Sequence, residues 1–414
     1  LRALEKLEER SIPVPVEAVL CLLDHPAGAV REQALRVLRV REVEGVADDV
    51  ASALRDPDPD VQLEAARYLY CQLTDNHFDR LRQGLQHEDP QIQAATVGVI
   101  AEEGGLEEYK LVSEDLLQRL VRLDGERGTE SRTQVARMLG VLDRSYRNEL
   151  LRRLLHDEAP QVKRAAIEAA GKTGDRTFVS ILIQHLDDDA VEAAAQRALS
   201  SYGSEIFGTL YDCLTDETLS LKTRQRIPPI FAAQPRRFGL TLLLRSLRRV
   251  PVPVRHAVVR ALSKIQREGI VCDDPQAVEA AIEQEIKHFA ALGQILRLRQ
   301  RQENTSLPLS PGRLRAFREE TLERLFRLLG LQYDHSDIYD AYLGITSTDP
   351  TLRDSAVEFV DNLVDYNTRR MLLPLLDDPE AEQAVTVGQD LFDLQIRTGE
   401  DARRYLRHAD DPRL

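Results

Sequence analysis

The chain has 414 residues, 43% hydrophobic and 30% charged, with a net charge of −14, a balance that suits a soluble chain able to build a core. Aromatic residues make up 5% and tryptophan is absent, which argues against a compact enzyme with an aromatic-lined pocket. Leu, Ala, Val, Arg and Glu dominate, a helical vocabulary, and no apolar run of about 18 residues exists to span a bilayer.

The chain opens on Leu1 rather than Met, so it reads as a piece of a longer protein, and no signal peptide is visible. Cys21, Cys71, Cys213 and Cys272 form no CxxC pair. Their wide spacing reads as reduced core thiols in a cytoplasmic compartment, not as a disulfide framework or a zinc site.

From the N-terminus onward one pattern recurs. A turn rich in Asp and Pro is followed by an aliphatic residue, often a basic or polar one, then small apolar residues four, seven and eight positions on. His25-Pro26 leads to Val30-Arg31 with Ala34, Val37 and Leu38; Asp58-Pro59 leads to Val61 with Ala65, Tyr68 and Leu69. Asp89-Pro90 leads to Ile92 with Thr96, Val99 and Ile100; Ala159-Pro160 leads to Val162-Lys163 with Ala166, Ala169 and Ala170. Asp188-Asp189 leads to Val191 with Ala195, Ala198 and Leu199; Pro251 and Pro253 lead to Val254-Arg255 with Val258, Ala261 and Leu262. Asp349-Pro350 leads to Leu352-Arg353 with Ala356, Phe359 and Val360. From Val30 to Val61 and from Val61 to Ile92 the step is 31 residues, and from Val162 to Val191 it is 29. The 70 residues from Ile92 to Val162 read as two units with a longer loop around Asp124-Gly125 and Arg127-Gly128.

A step near 31 fits two short helices and two turns. The four-seven-eight offsets put the apolar residues on one helix face, with small residues letting the partner helix approach. Proline fits the first helical turn and the preceding Asp caps it. Such a unit must stack on neighbours to bury its face, so an all-α superhelix of about ten antiparallel helix pairs is expected. The Asp-Pro-x-Val-Arg core, over residues 12–265 and again 335–396, resembles the HEAT-repeat family and related phycobilisome-lyase-like repeats. That resemblance implies a HEAT-like α-solenoid and is silent on function.

After Glu268 the register fails. Gln276 to Glu303 reads as one long helix, Asn304 to Gly312 as a polar linker and Leu314 to Leu329 as another amphipathic helix. The insert reads either as an oversized repeat with a loop or as a hinge, dimerisation hairpin or docking arm. The expected divisions are therefore an array over 1–268, a long helix and linker over 269–312, and further HEAT-like helices over 313–414. Within the last part, Glu320-Thr-Leu-Glu-Arg-Leu-Phe-Arg-Leu-Leu-Gly-Leu331, Asp337-Ile-Tyr-Asp-Ala-Tyr-Leu-Gly344, Ala356-Val-Glu-Phe-Val-Asp-Asn-Leu363 and Arg370-Met-Leu-Leu-Pro-Leu-Leu376 resemble the HEAT region fused to some bacterial ATP/ADP-translocase-like membrane proteins. The resemblance implies the cytoplasmic, membrane-associated part of a nucleotide-transporter-like protein; its transport and nucleotide-binding residues would lie outside this chain.

No residue set reads as catalytic, metal-ligating or cofactor-binding. Gly171-Lys172-Thr173 imitates the tail of a phosphate-binding loop, but Ala166 stands where a Gly is needed, and the tripeptide closes a helix with Gly171 or Gly174 as its cap. The histidines have no HxxxH spacing, and the acidic residues cluster in turns as caps. The basic residue after the aliphatic one (Arg31, Lys163, Arg255, Arg353) reads better as the partner of a turn Asp than as an anion contact.

Charge segregation speaks most directly to function. Residues 218–267 contain no Asp or Glu and hold Lys222, Arg224, Arg226, Arg236, Arg237, Arg245, Arg248, Arg249, Arg255, Arg260, Lys264 and Arg267. Removing those twelve positive charges from the net −14 leaves −26 on the rest. Such separation suggests a footprint for an anionic partner, either an acidic protein or an anionic membrane surface. Overall acidity and the lack of aromatic stacking platforms argue against nucleic acid. The expected function is a non-enzymatic scaffold or regulatory module that binds a protein partner. The rivals are a HEAT-like lyase and a nucleic-acid-binding protein of the HEAT-like glycosylase kind, for which Asp216 or Asp273 is the nominal catalytic acid.

Overall fold

Each proline-marked turn of the sequence opens a helix. Pro59, Pro90, Pro160, Pro311 and Pro350 each occupy the first helical position, where a missing N–H costs nothing. Asp89 and Asp349 cap their helices by accepting from the backbone N–H of Gln91 and Thr351, both at 2.9 Å. The computed structural model describes residues 1–9, 15–70, 77–143, 145–272, 274–301, 310–377 and 382–408. Among these every regular element is a helix, and the fold class is an all-α, HEAT-like α-solenoid. The chain forms two compact units, Leu1–Tyr202 and Gly203–Leu414.

In the first unit the second helices of successive pairs are Gly28–Val40, Pro59–Tyr70, Pro90–Glu103, Gly125–Leu139, Pro160–Thr173 and Glu192–Ser201. Each packs on the next. Val16–Leu20, Ala47–Ala51, His77–Leu85, Glu114–Val121, Arg147–Leu155 and Val179–Gln184 are the corresponding first helices. The predicted apolar positions are the core: Ala34, Val37, Leu38, Val61, Ala65, Val99, Val162, Ala166, Ala170, Ala195 and Leu199 are fully buried. The loop expected around Asp124-Gly125 is instead the start of the Gly125–Leu139 helix. That helix repeats the pattern with Ser131-Arg132 followed by Val135, Met138 and Leu139, all buried. Ser131 in place of an aliphatic residue hid the copy, and the short Leu106–Tyr109 helix takes up the extra length.

The residue after the aliphatic position has two repeated tasks. It reaches back to a carbonyl at the end of the first helix, a group with no partner inside that helix. Arg31 donates to His25 O (2.7 Å), Gln93 to His87 O (2.7 Å) and Arg353 to Ser347 O (2.9 Å), each six residues back, and Gln62 makes the same contact with Asp56 O. In three copies of the first unit, where the residue is basic, it also pairs with an Asp 25 residues on: Arg31–Asp56 at 2.6 Å, Arg132–Asp157 at 2.7 Å and Lys163–Asp188 at 2.7 Å; in the second unit Arg255 pairs instead with Glu285, and Arg353 makes the carbonyl contact. Those carboxylates also hold their own turns, accepting from the N–H of Asp58, Ala159 and Ala190. Arg31, Arg132 and Lys163 thus form a structural ladder with turn Asp residues, as expected for Arg31 and Lys163, whereas the expected turn-Asp partner of Arg255 is replaced by Glu285 on the long helix. Asp157→Ala removes a half-buried pair and a turn bond together and is expected to cost about 1–2 kcal/mol, read as a lower urea midpoint for the first unit.

Gly171 does not cap its helix; Gly174 does, at φ +66°. Gly171 lies against the neighbouring Glu192–Ser201 helix, where an added Cβ would stand 2.9 Å from Ala198 Cα, and its carbonyl accepts from Ser201 Oγ at 3.0 Å. The phosphate-loop imitation is a helix crossing. The thiols are not uniformly core: Cys21 is exposed, Cys213 and Cys272 are half-buried with their pKa pushed up by burial, and Cys71 lies outside the described residues.

In the second unit the expected long helix is Pro275–Arg301, 27 residues and about 40 Å. Pro311–Leu329, Tyr366–Asp377 and Glu382–Phe392 pack on it, and Gly399–His408 adds Ala402 and Leu406 to Leu292, Ile295, Leu296, Leu314 and Phe317. It is the spine of this unit's core, so a projecting docking arm over 275–301 is ruled out; of the polar linker expected over Asn304 to Gly312, residues 304–309 lie outside the described residues, while Ser310 caps the next helix and Pro311 and Gly312 open it. At its middle Glu285, fully buried, accepts from Arg324 Nε at 2.9 Å and from Arg255 Nη1 at 3.2 Å. In the last copy of the repeat only Ala356 and Val360 are buried, while Leu352 and Phe359 are 56% and 42% exposed, so the expected apolar face is only half used.

Candidate interaction surface

The acid-free segment lies wholly in the second unit, on the helices Leu221–Arg226, Pro228–Ala233, Arg237–Ser246 and Val252–Arg267. Its basic residues separate by role. Arg224 and Arg255 are 4% and 7% exposed. Arg224 donates to Leu214 O at 2.9 Å, and burial lowers its pKa against the pull of Glu217 and Asp216. Arg255 is committed to Glu285. Both are therefore structural and leave the surface footprint. Lys222 and Arg226 are half-buried on the helix beside Pro253, whose carbonyl accepts from Gln225.

Arg236, Arg237, Arg245, Arg248, Arg249 and Arg260 are exposed, as are Lys264 and Arg267. The structure brings them into three groups. Arg245, Arg248 and Arg249 gather at the turn after Arg237–Ser246, where helix-end carbonyls favour positive charge. Arg236 and Arg237 sit about one helix length away, at its N-terminus, beside Phe238, which is 56% exposed. Arg260, Lys264 and Arg267, spaced four and three apart, share one face of Val252–Arg267. The side chains of Arg236, Arg245, Arg248 and Arg249 make no ion pair or hydrogen bond with any described residue. By contrast, charges on the second helices of the first unit are paired among themselves: Arg39–Glu64 at 2.7 Å, Arg67–Glu64 at 2.9 Å, Arg137–Glu102 at 3.1 Å and Arg197–Glu168 at 3.2 Å, with Arg67 also against Glu102.

A pocket of about 270 Å³ borders the third group. Phe326, Ile338, Tyr342 and Leu343 supply apolar wall, with Tyr339 at the mouth, and Ser263 and Arg267 contribute the edge of the basic stripe. Arg267 Nε donates to His335 Nε2 at 2.9 Å, and Glu323 neutralises Arg327 at 2.7 Å. Tyr339 and Leu343 are 54% and 49% exposed. The sequence carried a signal for this: Asp337-Ile-Tyr-Asp-Ala-Tyr-Leu-Gly344 has more apolar residues than the buried face of Ile338, Ala341 and Ile345 can use.

Among the described residues no group of three His, Cys, Asp or Glu is placed to hold a metal ion. Asp216 is an exposed turn cap, accepting from Thr218 N–H and Oγ1 at 2.9 and 2.8 Å, bonds that lower its pKa; Asp273 lies outside the described residues. No described helix is long and apolar enough to cross a membrane.

Residues 113–202 match the family model for HEAT repeats, and that stretch spans the Arg132 and Lys163 steps of the ladder. A curated relative, named an ATP phosphoribosyltransferase of Natronomonas pharaonis, is 33% identical over 111 residues, covering 24% of this chain. The chain covers 37% of that relative's length. Among solved structures, Escherichia coli YibA has a TM-score of 0.41 at 17% identity, over 64% of this chain and 96% of that one. A structure of Kap95p binding to RanGDP has a TM-score of 0.41 at 14% identity, over 95% of this chain and 64% of that one. An importin beta structure has a TM-score of 0.38 at 15% identity, over 91% and 54%.

Proposed function

We propose that the chain is a non-enzymatic interaction module that docks an anionic partner on the basic segment of its second unit. The observation that carries this reading is that Arg236, Arg245, Arg248 and Arg249 stand exposed and unpaired in an acid-free stretch of a chain whose net charge is −14. Charges kept for folding are paired, as the ladder and the buried Glu285 cluster are; charges left bare can meet a partner without breaking an internal pair. The repeat architecture supports a binding role, because stacked helix pairs offer extended surfaces. The divisions 1–268, 269–312 and 313–414, and a place in the cytoplasm beside a nucleotide-transporter-like membrane domain, are finer parts of this proposal. The latter rests on the stretches within 280–377 alone, and an enzymatic reading rests on one relative's name over 24% of the chain.

The test is co-sedimentation with neutral and anionic vesicles over a salt series, beside pull-down of acidic proteins, comparing the wild type with a variant carrying Arg236, Arg237, Arg248 and Arg249 changed to Glu. Binding to one anionic partner class, weakened by salt and at least about tenfold weaker in the variant, is expected. Equal binding by wild type and variant, or none to either class, overturns the reading.

A further inference from the structure

We infer that the pocket between Val252–Arg267, Pro311–Leu329 and His335–Ile345 receives a bulky apolar side chain from an acidic segment of a partner protein. The inference rests on the interaction-module reading and names the partner for a different part of the same unit.

Size points to a side chain. At about 270 Å³ the pocket lies just under the usual range for small-molecule sites, roughly 300–1,000 Å³, and suits one aromatic or large aliphatic group. The walls agree: Phe326 and Tyr342 meet at 5.7 Å between ring centroids with a tilt of 51°, leaving ring faces and edges for a third apolar group. Tyr339 and Leu343, one helical turn apart, are held half in water although each lines the cavity. Covering them is the favourable half of the binding event.

Charge points to an acidic carrier. The pocket edge formed by Ser263 and Arg267 continues, on the same helix face, into Arg260 and Lys264, both exposed. Three basic groups at this spacing run alongside the pocket for about 10 Å, while the pocket's own Glu323 is taken up by Arg327. A peptide seated with its apolar residue in the cavity lays its neighbouring residues along that stripe. Acidic neighbours are drawn in, and basic neighbours are repelled. A lipid surface fits less well, because the apolar group would have to enter a recess between three helices and not lie on a flat patch.

The test is selection of a random peptide library displayed on phage against the immobilised full chain. Enriched peptides are then measured in solution against the wild type, Leu343→Glu and the double variant Arg260→Glu with Lys264→Glu. All three substitutions are at exposed positions, and helical circular dichroism confirms folding. Enriched peptides should share one aromatic or large aliphatic residue flanked by Asp or Glu. Leu343→Glu should weaken them at least about tenfold at any salt, and the double variant should weaken them chiefly at low salt. No enrichment, peptides lacking that signature, or binding unaffected by Leu343→Glu overturns the inference. Chain that takes up anionic vesicles through Arg236, Arg237, Arg248 and Arg249 but selects no such peptide overturns the pocket proposal and leaves the module reading standing.

Discussion

Replacing Glu285 with Gln is expected to destabilise the second unit by about 3–5 kcal/mol, the largest single-residue effect in the chain. Both carboxylate oxygens are occupied, by Arg324 Nε at 2.9 Å and Arg255 Nη1 at 3.2 Å, and Arg324 is itself fully buried. Removing the negative charge leaves two buried guanidinium groups with no opposite charge between them. Among the described residues, the other side-chain bonds of the pair are Arg324 to Thr321 Oγ1 at 2.9 Å and Arg255 to the Val250 carbonyl at 3.4 Å, neither to a charged acceptor. Thermal or urea unfolding should show the loss. Replacing all three residues with apolar ones of similar volume should recover most of it, because the desolvation cost disappears with the charges. A single variant as stable as the wild type would mean that the carboxylate is not what neutralises the cluster.

The same cluster has a pH signature. Burial pushes the Glu285 carboxyl up, but Arg324, Arg255 and His288 pull it further down, so its folded pKa lies below the ordinary value. A depressed pKa stabilises the fold above the unfolded value of about 4.3, and that contribution fades as pH falls through the folded value. Wild-type stability should therefore drop on acidification below about pH 4, while Glu285→Gln should show a shallower acid limb.

The second large effect is expected at Gly171. A leucine there drives atoms into Ala198, whose Cα would stand 2.9 Å from even the first added carbon. Backbone lies on both sides of the contact, so a side-chain rotation cannot relieve it. Parting the helices Pro160–Thr173 and Glu192–Ser201 also breaks the Ser201 Oγ bond to the Gly171 carbonyl. A loss of about 3 kcal/mol is expected, measured as a lower unfolding midpoint. Gly174→Leu is the control: nothing lies within 4 Å of its added carbon, and its cost comes only from the left-handed backbone at φ +66°.

Most of the fold could be read before any coordinates, because proline and aspartate mark helix starts and small residues mark helix contacts by local physics. Residues such as Ala34, Ala65 and Ala166 declare themselves through spacing alone. The copy beginning at Ser131 could not, since one hydroxyl broke the aliphatic signal; the Arg132–Asp157 offset of 25 residues, shared with Arg31–Asp56, would have exposed it. The surface was less legible. Spacing says nothing about which way an arginine turns, and so Arg224 and Arg255 were grouped with Arg248 and Arg249 although burial separates them. The pocket draws on residues as far apart in sequence as Arg267 and His335, 68 positions, and only the surplus of apolar residues in 337–344 hinted at it.

The reach-back to a carbonyl six residues earlier and the pairing 25 residues ahead have a consequence for how such a chain can change length. Both links stay within one repeat or join it to its immediate successor, so no repeat depends on its ordinal place in the row. An unequal exchange that duplicates or deletes about one step of 31 residues restores every link at the new junction, whereas a change of a few residues inside a helix breaks two at once. Inheritance in whole steps is thus the low-cost route. The Leu106–Tyr109 helix shows where a partial step is tolerated: between a second helix and the next first helix, in the copy whose Gln93 makes the reach-back to His87 O and has no basic side chain to pair ahead.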